Sequence, residues 1–335
     1  MRLHPLVGLT VPTLLLLAAC SGGTSDATPS APAASQSLPS DAAYTPFTAD
    51  DCGFAVSVDS PPQRIVTIKS SATEMVLALG AGDRIVGTGF PDGPVPAAWA
   101  DAANGLTELS DKVPSAEVVL AAEPDLVYAG WESNLTAEGA GDRATLRDLG
   151  VTTFVSPAAC KEPGYQPEQM TFDEVFAEIS QMGDLLGVPE AADELVTSQQ
   201  AELDAITADT RGLTALWFSS GGDVPYVGAG IGAPQMIMDT VGVTNIAAEV
   251  ADTWTAFSWE QVAQDDPDVI VLVDASWNSA EDKMVLLASN PATANLTAVL
   301  NERYLVVPFA ATEVGVRNVS AATDLAAQLA ELDLG

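Results

Sequence analysis

One histidine, His4, occurs in 335 residues, and it lies in the apolar N-terminal segment. That scarcity excludes a zinc or manganese site built on imidazole. It also removes Ser-His and Cys-His catalysis. Cations are scarce as well: Lys+Arg is 12 against Asp+Glu 46, a formal net charge of −34. Nucleic acid is excluded as a partner, because phosphate binding needs clustered cations. The acidity suits the solubility of an exported protein, and it makes each remaining cation informative. Acidic pairs such as Asp265–Asp266 precede a Pro-Asp turn and read as a solvated helix end. No catalytic constellation emerges. The chain is read as a binding protein and not an enzyme, with no cofactor and no metal site. Aromatics are only 6% of the residues, so their placement carries weight.

What is present begins with Arg2, an apolar run from Leu6 to Ala19, and Cys20. This is a charged n-region, a short h-region and a small-residue cleavage site, too short to span a bilayer comfortably. "LAAC" (17–20) resembles the lipobox of bacterial lipoproteins, which implies cleavage before Cys20 and a lipid on its sulfur. No second stretch is long and apolar enough for a transmembrane helix. Residues 1–20 are thus expected to be a signal peptide. Residues 21–50, rich in Ser, Ala, Pro and Gly, are expected to be a disordered tether. Two cysteines remain, Cys52 and Cys160. An exported setting favours a disulfide between them; two unrelated buried thiols are the alternative.

Strand-like runs alternate with helical ones from "RIVTI" (64–68) through "SATEMVLALG" (71–80), "DRIVGTGF" (83–90), "SAEVVLAAEPDLVYAG" (115–130) and "GDRATLRDLGVTTFVSP" (141–157). Alternation of this size indicates a parallel α/β sheet. A helical stretch covers 171–208, broken at "GVPE" (187–190), and its second part is long enough to be a stiff helix. The α/β pattern then resumes to the end. Ser115, Glu117, Pro124 and Asp125 are echoed by Ser258, Glu260, Pro267 and Asp268, at a constant offset of 143. The expected architecture is two Rossmann-like α/β lobes with parallel-type sheets, joined by a single long rigid helix, with a ligand cleft between them. The boundaries are 51–170 for the N-terminal lobe, 171–210 for the helical connector and 211–335 for the C-terminal lobe.

In order and spacing, "RIVTI…TEMVLALGAGDRIVG", "VVLAAEPDLVYAG", the interlobe helix and "EQVAQDDPDVIVLVD" resemble the solute-binding proteins of ABC importers. The branch is the one for cobalamin and ferric siderophores, and the likeness spans about 52–332. "KSSATE", "YAGWES", "PAACKEPGYQP", "YVGAGIGAPQMIMD" and "VPFAATEVGVRN" are similar to actinobacterial proteins proposed to import the precursor of the deazaflavin coenzyme factor 420. The resemblance implies a lipid-anchored monomer on the extracytoplasmic face of the membrane. It would capture a small flat or anionic solute and deliver it to a permease and its ATPase. A non-transport scaffold or adhesion lipoprotein is the alternative from another class.

Candidate site residues follow. "GAGIGAPQ" (228–235) carries Gly228, Gly230 and Gly232 ahead of a helix. It is neither G-x-G-x-x-G nor a P-loop. It reads either as a wall whose backbone N–H groups face an anion or as a tight strand-to-helix turn. Trp131 and Trp277 lie at carboxyl ends of strands, where open α/β sheets bind ligands. Tyr226 precedes the glycine loop, and Trp217 reads as core. The resemblance implies ligand contacts at Phe90 and Trp254. Lys69, Lys161 and Arg317 lie at element ends and are expected to hold a negative group of the solute; local salt bridges are the alternative. Glu132 and Glu313 are expected to orient them or to accept hydrogen bonds from the ligand. Glu74 closes a Ser71-x-x-Glu74 capping box, while the resemblance implies permease docking at Glu74 and, in the second lobe, Asp239.

Overall fold

The computed structural model describes residues 44–332. The expected signal peptide, the expected lipid-bearing Cys20 and most of the expected tether lie outside these residues. A hairpin of β1 (Phe47–Asp51) and β2 (Phe54–Val58) comes first, so the last four residues of the expected tether, 47–50, are strand. Then follow β3 (Ile65–Ile68), α1 (Ser70–Ala78), β4 (Ile85–Gly89), α2 (Ala100–Ala103), β5 (Glu108–Ser110), α3 (Ala116–Ala121), β6 (Leu126–Ala129), α4 (Arg143–Asp148) and β7 (Thr152–Val155). These strands form one parallel sheet in the order β5-β4-β3-β6-β7. β3 and β6 are buried at every position, as uninterrupted apolar runs covered on both faces should be. The strand order reverses at β3, so the crevice at the carboxyl ends of β3 and β6 is where such sheets hold ligands.

The connector is a helical pair, α5 (Phe172–Leu186) and α6 (Pro189–Asp204). Gly187 ends α5 in the left-handed region at φ 69°, and Pro189 restarts the chain at the first position of α6. α6 returns to the C-terminal lobe, where Gln199 donates to Val316 O at 2.8 Å, and α5 bridges the lobes. Just before it, the Met170 N–H bonds to Ile231 O of the C-terminal lobe at 2.9 Å. At its far end, Leu186 O accepts from Arg84 of the N-terminal lobe at 2.6 Å. Fifteen residues at 1.5 Å each span about 22 Å. One apolar core runs through Met75, Ile179, Trp217, Ile237 and Leu325, joining α1, the connector and the C-terminal lobe and opposing free rotation between them.

The C-terminal lobe contains β8 (Thr214–Ser220), β9 (Tyr226–Gly228), α7 (Ala233–Val241), β10 (Thr244–Asn245), β11 (Trp254–Ala256), α8 (Trp259–Asp265), β12 (Val269–Asp274), α9 (Ala280–Ser289), α10 (Thr297–Leu300), β13 (Tyr304–Pro308) and α11 (Asn318–Glu331). Its sheet runs β11-β9-β8-β12-β13, with β10 also on β8. The expectation of parallel sheets needs one amendment: β9 pairs antiparallel with both β8 and β11, and the other pairings are parallel. Cys52 and Cys160 form a disulfide, tying the corner of the first hairpin to the loop after β7. Among the described residues no helix is long and apolar enough to cross a membrane.

Candidate functional site

Between the lobes lies a cavity of about 340 Å³. The N-terminal lobe contributes Trp131 and Glu132 after β6, and Lys161 from the disulfide loop. The C-terminal lobe contributes Tyr226, Gly232, Trp254 and Glu313. These seven sequence-predicted residues come together.

The rings are set by strand geometry. Trp254 on β11 is paired with Gly228, and Ala256 with Tyr226. The side chains of Tyr226 and Trp254 stack with 13° between their planes and centroids 6.3 Å apart. Tyr226 stays a neutral phenol: burial raises its pKa, and the charges of Asp252 and Glu313 push it further. Trp131 turns its indole N–H to Glu313 Oε2 at 2.6 Å, a bond from one lobe to the other. Burial raises the Glu313 pKa, while the nearby Lys69 charge and the Trp131 hydrogen bond oppose that rise.

Lys69 does not face the cavity. It is 1% exposed and paired with Asp92. Its ammonium lies 3.8 Å from the Trp131 ring, 4.3 Å from Phe90 and 5.1 Å from Phe309. It is a buried cation under the cleft floor, attracted to ring faces. Phe90 serves that cage and does not line the cavity. Arg317 is likewise withdrawn. Its guanidinium grips both oxygens of Glu74 and donates to Pro94 O at 2.9 Å. Two of the three expected solute-holding cations, Lys69 and Arg317, therefore follow the salt-bridge alternative, each paired with a buried carboxylate.

Glu74 is corrected by the same pair. It is 1% exposed, so it presents no surface for docking, and α1 begins after Lys69 with no side-chain cap. Asp239, in contrast, is exposed on α7, held by Gln235 at 2.7 Å and Gln169 at 3.0 Å.

Residues 229–231 of the glycine loop form a turn and not an anion cradle. The N–H groups of Ala229, Gly230 and Ile231 are given to the carbonyls of Thr253, Val250 and Asp252 at 3.1, 2.9 and 3.1 Å. A Cβ on Gly230 would overlap the Ala248 carbonyl. The glycines are required because two backbone segments touch there. Gly228 is packed against Pro234 and Trp217, and only Gly232 reaches the cavity. Trp217 is core, as read. Trp277 is 58% exposed and meets Phe309 edge-on at 5.0 Å, outside the cavity lining.

Sequence reasoning missed Phe309, Asp252 and Thr253, together with Ser71, Ser156, Ser219 and Thr312 in the walls. Phe309 directly follows β13, so the strand-end rule that found Trp131 points to it as well. Asp252 and Thr253 lie in irregular backbone and carry no sequence signal. Among the described residues, the one tight group of metal-type side chains is Asp51, Cys52 and Cys160. Both sulfurs are consumed by the disulfide, which leaves a single donor.

Two α/β lobes on a helical connector, with an aromatic cleft between them, define a solute-binding protein of the two-lobe type. Residues 65–311 match the periplasmic binding protein family, and the chain belongs to it. It is 26% identical over 290 residues to the uncharacterized ABC transporter substrate-binding lipoprotein YvrC of Bacillus subtilis, covering 84% of each chain. To the vitamin B12-binding protein of Pectobacterium carotovorum it is 23% identical over 270 residues, covering 71% of this chain and 90% of that one. The crystal structure of an ABC-type Fe3+-hydroxamate transport system from Saccharomonospora viridis superposes with a TM-score of 0.73 at 27% identity. It covers 85% of this chain and 99% of that one.

Proposed function

We propose that this protein is the substrate-binding lipoprotein of an ABC importer. It is held outside the membrane by a lipid on Cys20, captures a small flat solute between its lobes and hands it to a permease driven by an ATPase. It acts by binding and release, with no covalent chemistry. The observation that carries the reading is the interlobe cavity with Trp131, Phe309, Tyr226 and Trp254 in or at its walls. Ring faces bury planar apolar surface and select it by geometry. The serine and threonine hydroxyls around them suit a polyhydroxylated tail. The favoured solute is a precursor of the deazaflavin coenzyme factor 420, a flat heterocycle with such a tail; the motif resemblances and this lining support it.

The likeness to a vitamin B12-binding protein favours cobalamin as a second reading. A corrinoid far exceeds about 340 Å³, so that reading requires the lobes to part widely. Calorimetric titration with deazaflavin precursor, a ferric hydroxamate and cobalamin separates the two. One-to-one binding of the deazaflavin, weakened at least tenfold by Trp254→Ala, is expected. Tight cobalamin binding with no deazaflavin binding would replace the first reading by the second.

A further inference from the structure

The cavity carries a charge pattern opposite to that of an anion receptor. Three carboxylates line it, Glu132, Asp252 and Glu313, against one cation, Lys161, and no arginine. Lys161 and Asp252 are both exposed to water, so screening weakens both fields and the excess of carboxylates stands. The two cations nearest the cleft floor and rim are spent internally, Lys69 on Asp92 and Arg317 on Glu74. In the glycine loop the N–H groups of Ala229, Gly230 and Ile231 are spent on carbonyls. An entering anion would therefore lose hydration and meet three carboxylates, with Lys161 as the one charged donor of the lining.

The ring geometry points the same way. Tyr226 and Trp254 offer near-parallel faces at 13°, and a face is the negative side of an aromatic quadrupole. Asp252 and Glu313 line the same cavity as these two rings. Faces flanked by carboxylates attract positive ring nitrogens and N–H donors.

We infer that the solute is a flat heteroaromatic bound in neutral or cationic form, with hydrogen-bond donors or a positive nitrogen turned toward Asp252 and Glu313, and that anionic analogues are rejected. This rests on the reading of the cleft as a receptor for flat solutes. The test uses riboflavin as a neutral flat probe, riboflavin 5′-phosphate as its anionic twin and proflavine as a flat cation. Each is titrated into the full chain by calorimetry at low and high salt. Riboflavin and proflavine are expected to compete for one site, with the phosphate at least tenfold weaker than riboflavin. Asp252→Asn keeps the local bond to the Thr253 N–H, 2.7 Å in the parent. It should shrink that gap severalfold, as should added salt. Riboflavin phosphate binding as tightly as riboflavin would overturn the charge inference and leave the flat-solute reading standing. No binding by any of the three probes overturns both.

Discussion

Trp131 donates its indole N–H to Glu313 across the cleft at 2.6 Å, while the ammonium of Lys69 sits 3.8 Å from the same ring. One side chain is thus a wall of the cavity, a bond between lobes and the lid over a buried cation. Removing its N–H while keeping a ring separates these roles. Trp131→Phe and Glu313→Ala should each weaken closure by about 1–3 kcal/mol, the range for a hydrogen bond to a polar or charged group. Spin labels at the exposed positions Leu149 and Leu300, one on each lobe, should report a longer or broader distance distribution in both variants. Lys161→Ala should leave it unchanged.

The Glu74–Arg317 pair is a second link between lobes, and it is nearly dry, with the two side chains 1% and 11% exposed. Removing one partner strands the other. Arg317→Ala should therefore cost about 3–5 kcal/mol of stability, the range for breaking a buried pair. Urea unfolding measures this. An Arg317→Ala protein of parental stability that binds solute poorly would return Arg317 to the cleft.

Gly230→Ala should destabilise the fold by about 1–3 kcal/mol, because a Cβ there meets the Ala248 carbonyl and forces backbone apart. Gly222→Ala adds its Cβ where nothing lies within 4 Å and should stay within about 0.5 kcal/mol of the parent. Thermal melts of the pair read the difference.

Glu178 on α5 is buried, accepting from Tyr128 at 2.9 Å and Ser156 at 3.0 Å. Burial pushes its carboxyl pKa up from 4.5 to about 7, against those two hydrogen bonds. The folded form therefore binds this proton more tightly than the unfolded chain. Its contribution favours folding at low pH and is lost as pH rises from about 4.5 through about 7. The total is on the order of 3 kcal/mol. Glu178→Gln should flatten that part of the stability–pH curve, measured by urea midpoints from pH 5 to 8. A curve as steep as the parent's would assign the dependence to other groups.

Much of the fold was legible because local chemistry repeats. Ser115 and Ser258 begin α3 and α8 as side-chain caps. Asp125 accepts the N–H groups of Gln63 and Arg64, just ahead of β3, and Asp268 accepts that of Thr214 at the start of β8. The constant offset between these residues thus reflects one job done twice. The rings Trp131 and Trp254 were legible from strand ends and family pattern. The cations were not. Lys69 and Arg317 pair with carboxylates 23 and 243 positions away, and spacing along a chain does not reveal which acid folds against which base. The glycine loop was misread for a related reason: its partner strand, residues 250–253, is irregular and has no pattern of its own.

The antiparallel pair β9 and β11 sits at the rim of its sheet, with β11 outermost, and it carries Tyr226 and Trp254. Tyr226 and Trp254 line the cleft, whereas Val227, next to Tyr226 in the chain, packs into the core with Leu216 and Phe218 of β8. The fold therefore keeps its reading surface apart from its load-carrying layers. Replacing Tyr226 or Trp254 would therefore recast one wall of the cleft while the core behind it stays as it is.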